Sequence, residues 1–65
     1  MIGFGKRFQD LRTLKNKTQK DMAMLLNVSL STVNSWETKD RSPRIRAVIS
    51  AAKFFGVSVN YLLGL

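Results

Sequence analysis

Cysteine and histidine are absent from this 65-residue chain, and proline occurs once. Without cysteine there is no disulfide framework. Without either residue the commonest zinc ligands, the usual general base and the thiol nucleophile are missing too. Acidic residues are few: Asp10, Asp21, Glu37 and Asp40 show no close-spaced pairing suited to acid–base work. Gly3 and Gly5 stand without the rest of a phosphate-binding fingerprint. The chain therefore reads as a non-enzyme with no cofactor and no metal. Long hydrophobic runs are missing as well, since the stretches near Met22–Leu26 and Phe54–Leu65 fall short of the ~20 residues that span a bilayer. Met1-Ile2-Gly3-Phe4-Gly5, followed by Lys6 and Arg7, is too short for a signal peptide. A cytoplasmic, soluble protein with no membrane partner is expected.

What remains is ordinary apolar content with an unusual charge. Hydrophobic residues make up 45% of the chain, and Phe4, Phe8, Trp36, Phe54, Phe55 and Tyr61 are distributed as one shared core requires, so residues 1–65 form a single domain. A chain of this size buries only ~60% of its unfolded surface, and packing alone must hold it. Eleven Lys and Arg against four acids give a formal net charge of +7. Such an excess predicts a polyanionic partner, nucleic acid first, because clustered cations release counterions on binding phosphates. The bland alternative is a solvated basic surface.

No segment alternates with the two-residue period of a half-buried strand, and five helical segments can be placed, so the class is all-α. The first runs from about Phe4 to Lys15, with Phe4, Phe8 and Leu11 on one face and Asn16 as its stop. Thr18 and Asp21 have the spacing of a capping box for the second, which carries Met22, Ala23, Leu25 and Leu26 inward and ends at Asn27. Ser29 caps the third, Leu30 to Thr38, in which Val33 and Trp36 point the same way. Lys39-Asp40-Arg41-Ser42-Pro43 is a loop, with Pro43 opening a fourth helix that holds Ile45, Val48, Ile49, Ala52 and Phe55 inward and closes at Gly56. Ser58 caps a last short helix containing Val59, Tyr61, Leu62 and Leu63.

Between Gln19 and Trp36, then, two helices meet at a tight turn. Small Ala23 lets them approach, Asn27 tolerates the reversal and Val33 fixes the crossing. Together with Leu11-Arg12, Thr18-Gln19, Met22-Ala23, Asn27-Val28-Ser29, Trp36-Glu37, Pro43, Ala52, Phe55-Gly56-Val57-Ser58 and Leu62-Leu63, this order of residues resembles the phage Cro and repressor helix-turn-helix family, also called Xre-like. The resemblance covers nearly the whole chain. It implies a lambda-repressor-like domain of five helices, with a helix-turn-helix formed by helices two and three, that binds operator DNA, commonly as a dimer. Asn27 stands where the family usually has glycine, Lys17 where many members are apolar, and Asn16 where many have glycine.

Carried over by position, the resemblance sets Gln19 near the DNA backbone and Leu30, Ser31 and Ser35 toward the groove, with Thr32 beside them. Helical geometry agrees independently, because inward Val33 and Trp36 leave Leu30, Ser31, Asn34 and Ser35 outward or on the flanks. Hydroxyls can face base edges and Leu30 a thymine methyl, but long amides and arginines are absent, which shifts weight to Asn34, water and DNA shape. Lys17, Lys20, Lys39, Arg41 and Arg44 flank these helices as candidate phosphate contacts, and the first N–H groups of helix two offer another. The resemblance also implies that Arg12 and Glu37 form a structural ion pair. Double-stranded DNA and a second copy of the chain are the expected partners of a transcriptional repressor or regulator. Val59, Tyr61, Leu62, Leu63 and Leu65 serve either the dimer or the monomer's own core. The alternative reading is a protein-binding module on the same fold.

Overall fold

Each helix begins and ends where short-range chemistry directs it. A computed structural model of the protein describes residues 3–39 and 41–65, so Met1, Ile2 and Asp40 lie outside the described residues. The helices are α1 (Phe4–Leu14), α2 (Gln19–Leu26), α3 (Leu30–Thr38), α4 (Ile45–Phe55) and α5 (Val59–Leu63), and no strand occurs among the described residues. Thr18, Ser29 and Ser58 each accept a backbone N–H from three residues on, at 3.0, 3.0 and 2.9 Å. Such caps are worth about 0.5–2 kcal/mol apiece. At the other ends Asn16, Asn27, Gly56 and Gly64 all turn left-handed. Behind them the N–H groups of Lys17, Val28, Val57 and Leu65 reach back five residues, to Arg12, Ala23, Ala52 and Asn60. This is the closing bond of a Schellman turn, and it satisfies carbonyls that the helix leaves open.

The core is centred on an aromatic cluster. Phe8 stacks edge-on against Trp36 and Phe55 at ring separations of 5.5 and 5.6 Å, and Phe4 meets Trp36 at 5.3 Å, nearly perpendicular. Met22, Val33, Val48 and Leu62 close around these rings, almost wholly buried. Each such side chain contributes roughly 1.5–3 kcal/mol on burial, and each aromatic pair about 0.5–1.5 more. Gly5 allows α1 to lie directly on α3, for a Cβ there would run into the Trp36 carbonyl.

Three expectations are corrected. The fourth helix begins two residues after Pro43, with Arg44 as its N-cap in extended geometry. Its inward face is Ala47, Val48, Ala51, Ala52 and Phe55, while Ile45 and Ile49 are exposed. Alanines allow the close approach of neighbouring helices that branched isoleucines would prevent, so small volume prevails over hydrophobicity here. On α2, Leu25 faces solvent, because Met22, Ala23 and Leu26 already fill the side toward the core. For α5 the two readings divide by residue. Leu62 is fully buried, Val59 and Leu63 pack on the core, and Tyr61 and Leu65 stay exposed. Arg7 lies over the Tyr61 ring at 4.9 Å, tying α1 to α5.

Candidate nucleic-acid interface

The site grows out of the α2–α3 junction. At the start of α2 the capping box is complete: Asp21 N–H donates to Thr18 Oγ1, and Thr18 N–H donates to Asp21 Oδ2 at 2.9 Å. The bond from the Thr18 backbone, then that with its side chain, then the charges of Lys17 and Lys20 hold the Asp21 carboxyl below its ordinary range. At the far end Asn27 turns at φ 58°, and two residues later Ser29 caps α3. That sharp reversal lays α3 across α2.

Along α3 the 100° step between residues sorts the side chains. Val33 and Trp36 are buried, and Glu37 completes the inward side. Ser31 is exposed on the opposite side with Asn34, Ser35 is half-buried beside it, and Leu30 is half-exposed at the entrance. Thr32 is differently employed. Its N–H and hydroxyl both bond Ser29 Oγ, so its polar groups serve the cap.

Glu37 anchors a connected polar network. The Arg12 guanidinium donates Nε to Glu37 Oε2 at 2.8 Å, Nη2 to Oε1 at 3.0 Å, and Nη1 to the Lys17 carbonyl at 2.8 Å. The pair is shielded, with the Glu37 side chain 1% and the Arg12 side chain 15% exposed. Gln19 Nε2 donates to Glu37 Oε1 at 2.9 Å, and Asn34 Nδ2 donates to Gln19 Oε1 at 3.2 Å. Finally the Thr38 hydroxyl donates to the main-chain carbonyl of Asn34 at 2.8 Å and lies 3.2 Å from its side-chain Oδ1. Sequence reasoning missed the contacts of Gln19 and Thr38. The four-residue spacing of Asn34 and Thr38 is visible in the sequence, but the crossing of Gln19 onto α3 depends on the tertiary fold.

Cations border α3 on both sides. Lys17 and Lys20 flank the start of α2, next to the Gln19 bridge. Arg41 and Arg44 line a cleft of about 440 Å³ with Ser29, Thr32 and Trp36, on the other flank. Lys39 is exposed at the end of α3. Arg46 was not among the expected contacts, yet it shares an adjoining cleft of about 330 Å³ with Arg44 and Asn27. Its signal in the sequence is its position two residues beyond Arg44 at the start of α4. No helix among the described residues is long and apolar enough to cross a membrane.

A capped helix, a short turn through left-handed Asn27 and a second capped helix with a polar outward face define a helix-turn-helix domain. The chain belongs to the Xre-like helix-turn-helix family, whose model matches residues 8–62. It is 37% identical over 60 residues to the HTH-type transcriptional activator BcrR of Enterococcus faecalis, a match covering 92% of this chain and 29% of that protein. Over 49 residues it is 40% identical to the uncharacterized HTH-type transcriptional regulator MJ0272 of Methanocaldococcus jannaschii, covering 75% of this chain and 74% of the relative. Among solved structures, the N-terminal DNA binding domain of SinR from Bacillus subtilis superposes with a TM-score of 0.82 at 25% identity, over 91% of this chain and 87% of that one. The chain thus spans less than a third of the length of BcrR.

Proposed function

We propose that this chain binds double-stranded DNA sequence-specifically and regulates transcription, with α3 entering the major groove. The observation that carries the reading is the polar outward face of α3, bordered by cations on both flanks. A helix ~10–12 Å across fits a major groove ~12 Å wide. Ser31 and Ser35 meet base edges through their hydroxyls, Leu30 meets a thymine methyl, and Asn34 approaches from the α2 side. Thr32 supports the cap instead of reading a base. Lys17, Lys20, Lys39, Arg41 and Arg44 hold phosphates and set the register. Gln19, whose side chain is engaged with Glu37 and Asn34, offers a phosphate its backbone N–H at the start of α2. The relatives, transcriptional regulators and a DNA binding domain, support the same reading. Binding, not catalysis, is its activity.

A second copy completes the proposal. Two chains bind paired half-sites about 34 Å apart, one turn of duplex, and exposed Tyr61 on α5 and Leu65 just beyond it supply the contact surface. Duplex binding followed by sedimentation across a salt series tests both parts. Contacts to about 6–10 phosphates weaken affinity by about 10³–10⁵ between about 50 and 200 mM salt, with two chains per palindromic duplex. A flat salt response, or no duplex binding at low salt, overturns the DNA reading. One chain per palindrome overturns the dimer.

A further inference from the structure

The polar network under α3 has a direction. A carboxylate can only accept hydrogen bonds, and both Glu37 oxygens already receive Arg12. The group that Gln19 turns toward Glu37 must therefore be its amine, and so its carbonyl Oε1 must face away, toward Asn34. Facing a carbonyl, Asn34 must in turn present its amide N–H to Gln19, and its own side-chain carbonyl is left on the side of Thr38, whose one hydroxyl proton lies between it and the nearer Asn34 main-chain carbonyl. Neither amide can flip without placing two acceptors or two donors against each other. The charge of one shielded ion pair thus fixes, through two neutral amides, the order of donor and acceptor on an exposed side chain of α3.

We propose that Gln19 is a positioning residue that orients the Asn34 carboxamide for reading one adenine of the DNA site. The inference rests on the DNA-binding reading above. Asn34 is a helical neighbour of Leu30 and Ser31, four and three residues on, so it borders the same groove-facing surface. After its bonds to Gln19 and Thr38, it retains one N–H and one carbonyl lone pair, the two groups that an adenine edge accepts and donates through N7 and N6. A carboxamide free to flip would present either order and discriminate poorly. Held in one polarity, it discriminates at one base pair per half-site by roughly tenfold or more. Gln19 does not read the base; it fixes which end of Asn34 does.

Selection of bound duplexes from a random pool, run with the wild-type chain, Asn34→Ala, Gln19→Met and Thr38→Val, tests this. The expected result is an adenine preference in the wild type that Asn34→Ala abolishes and that Gln19→Met reduces at that same base pair, with other positions of the motif retained. Thr38→Val, which frees the carbonyl end and keeps the side-chain shape, is expected to weaken the same preference less. An unchanged motif in Gln19→Met, with affinity lowered equally for all sequences, overturns the proposal and makes the Gln19 side chain a phosphate contact. A wild-type pool that enriches no motif overturns the DNA reading itself and the proposal with it. The Asn34 side-chain amide resonances of the free protein supply a readout without DNA. Gln19→Met must shift them in a chain that melts cooperatively; unshifted resonances overturn the proposal.

Discussion

Replacing Glu37 by alanine is expected to unfold the domain before it reports on binding. The carboxylate receives both Arg12 Nε and Nη2 and the Gln19 amine, and its side chain is almost fully shielded from water. Removing it leaves a guanidinium charge without its partner in a setting where little water reaches it. Breaking a shielded pair in this way costs about 3–5 kcal/mol. A domain of this length holds only about 3–5 kcal/mol in total. Since 1 kcal/mol moves the melting temperature of such a chain by about 4–8 °C, the loss is at least on the order of 12 °C. Thermal and urea unfolding followed by circular dichroism measures it. Two further variants separate charge from shape. Glu37→Gln keeps the volume and part of the bonding and falls between wild type and alanine. The double variant Arg12→Met with Glu37→Leu is less destabilised than Glu37→Ala, because no unpartnered charge remains. If Glu37→Ala melts at the wild-type temperature, the ion pair is not structural and the reasoning fails.

Gly5→Ala is expected to destabilise by about 1–3 kcal/mol despite the better helix propensity of alanine, because α1 must move off the Trp36 carbonyl; a chain as stable as wild type in urea would show that the helices have room to part. Asp21 gives a pH dependence: its folded carboxyl titrates below the ordinary range, so its contribution is present above the unfolded pKa and is lost as pH falls from the ordinary carboxylate range through the folded pKa below it. Melting curves of wild type and Asp21→Asn should therefore converge as the solution is acidified through that window, and a constant gap would remove the capping box as the source.

Local signals in the sequence were readable because they act over three or four residues. Thr18, Ser29 and Ser58 cap the helices expected of them, and Asn16, Asn27 and Gly56 end them. The face of α4 was not readable from hydrophobicity. Ile45, Val48, Ile49, Ala52 and Phe55 share a helical spacing with the stripe that is actually inward, and only the closeness of neighbouring helices selects the alanines. Leu25 was misplaced for a related reason, since a leucine beside a filled core has no space left to enter. Of the polar network, the Arg12–Glu37 pair was expected from the family resemblance, and the rest was not. Gln19 joins residues 15 and 18 positions away, and nothing local in the sequence specifies that its amine turns toward Glu37.

Trp36 is the only tryptophan in the chain, and it sits edge-on among phenylalanines on the inward side of α3. It therefore makes the domain its own optical reporter. Emission from a shielded indole shifts to longer wavelength when water reaches it, so the fluorescence spectrum follows the opening of the core. Trp36 is also among the residues that line the cleft bordered by Arg41 and Arg44. An occupant of that cleft changes the emission intensity of a folded chain, whereas a duplex resting only on Ser31 and Ser35 leaves it dark to the event.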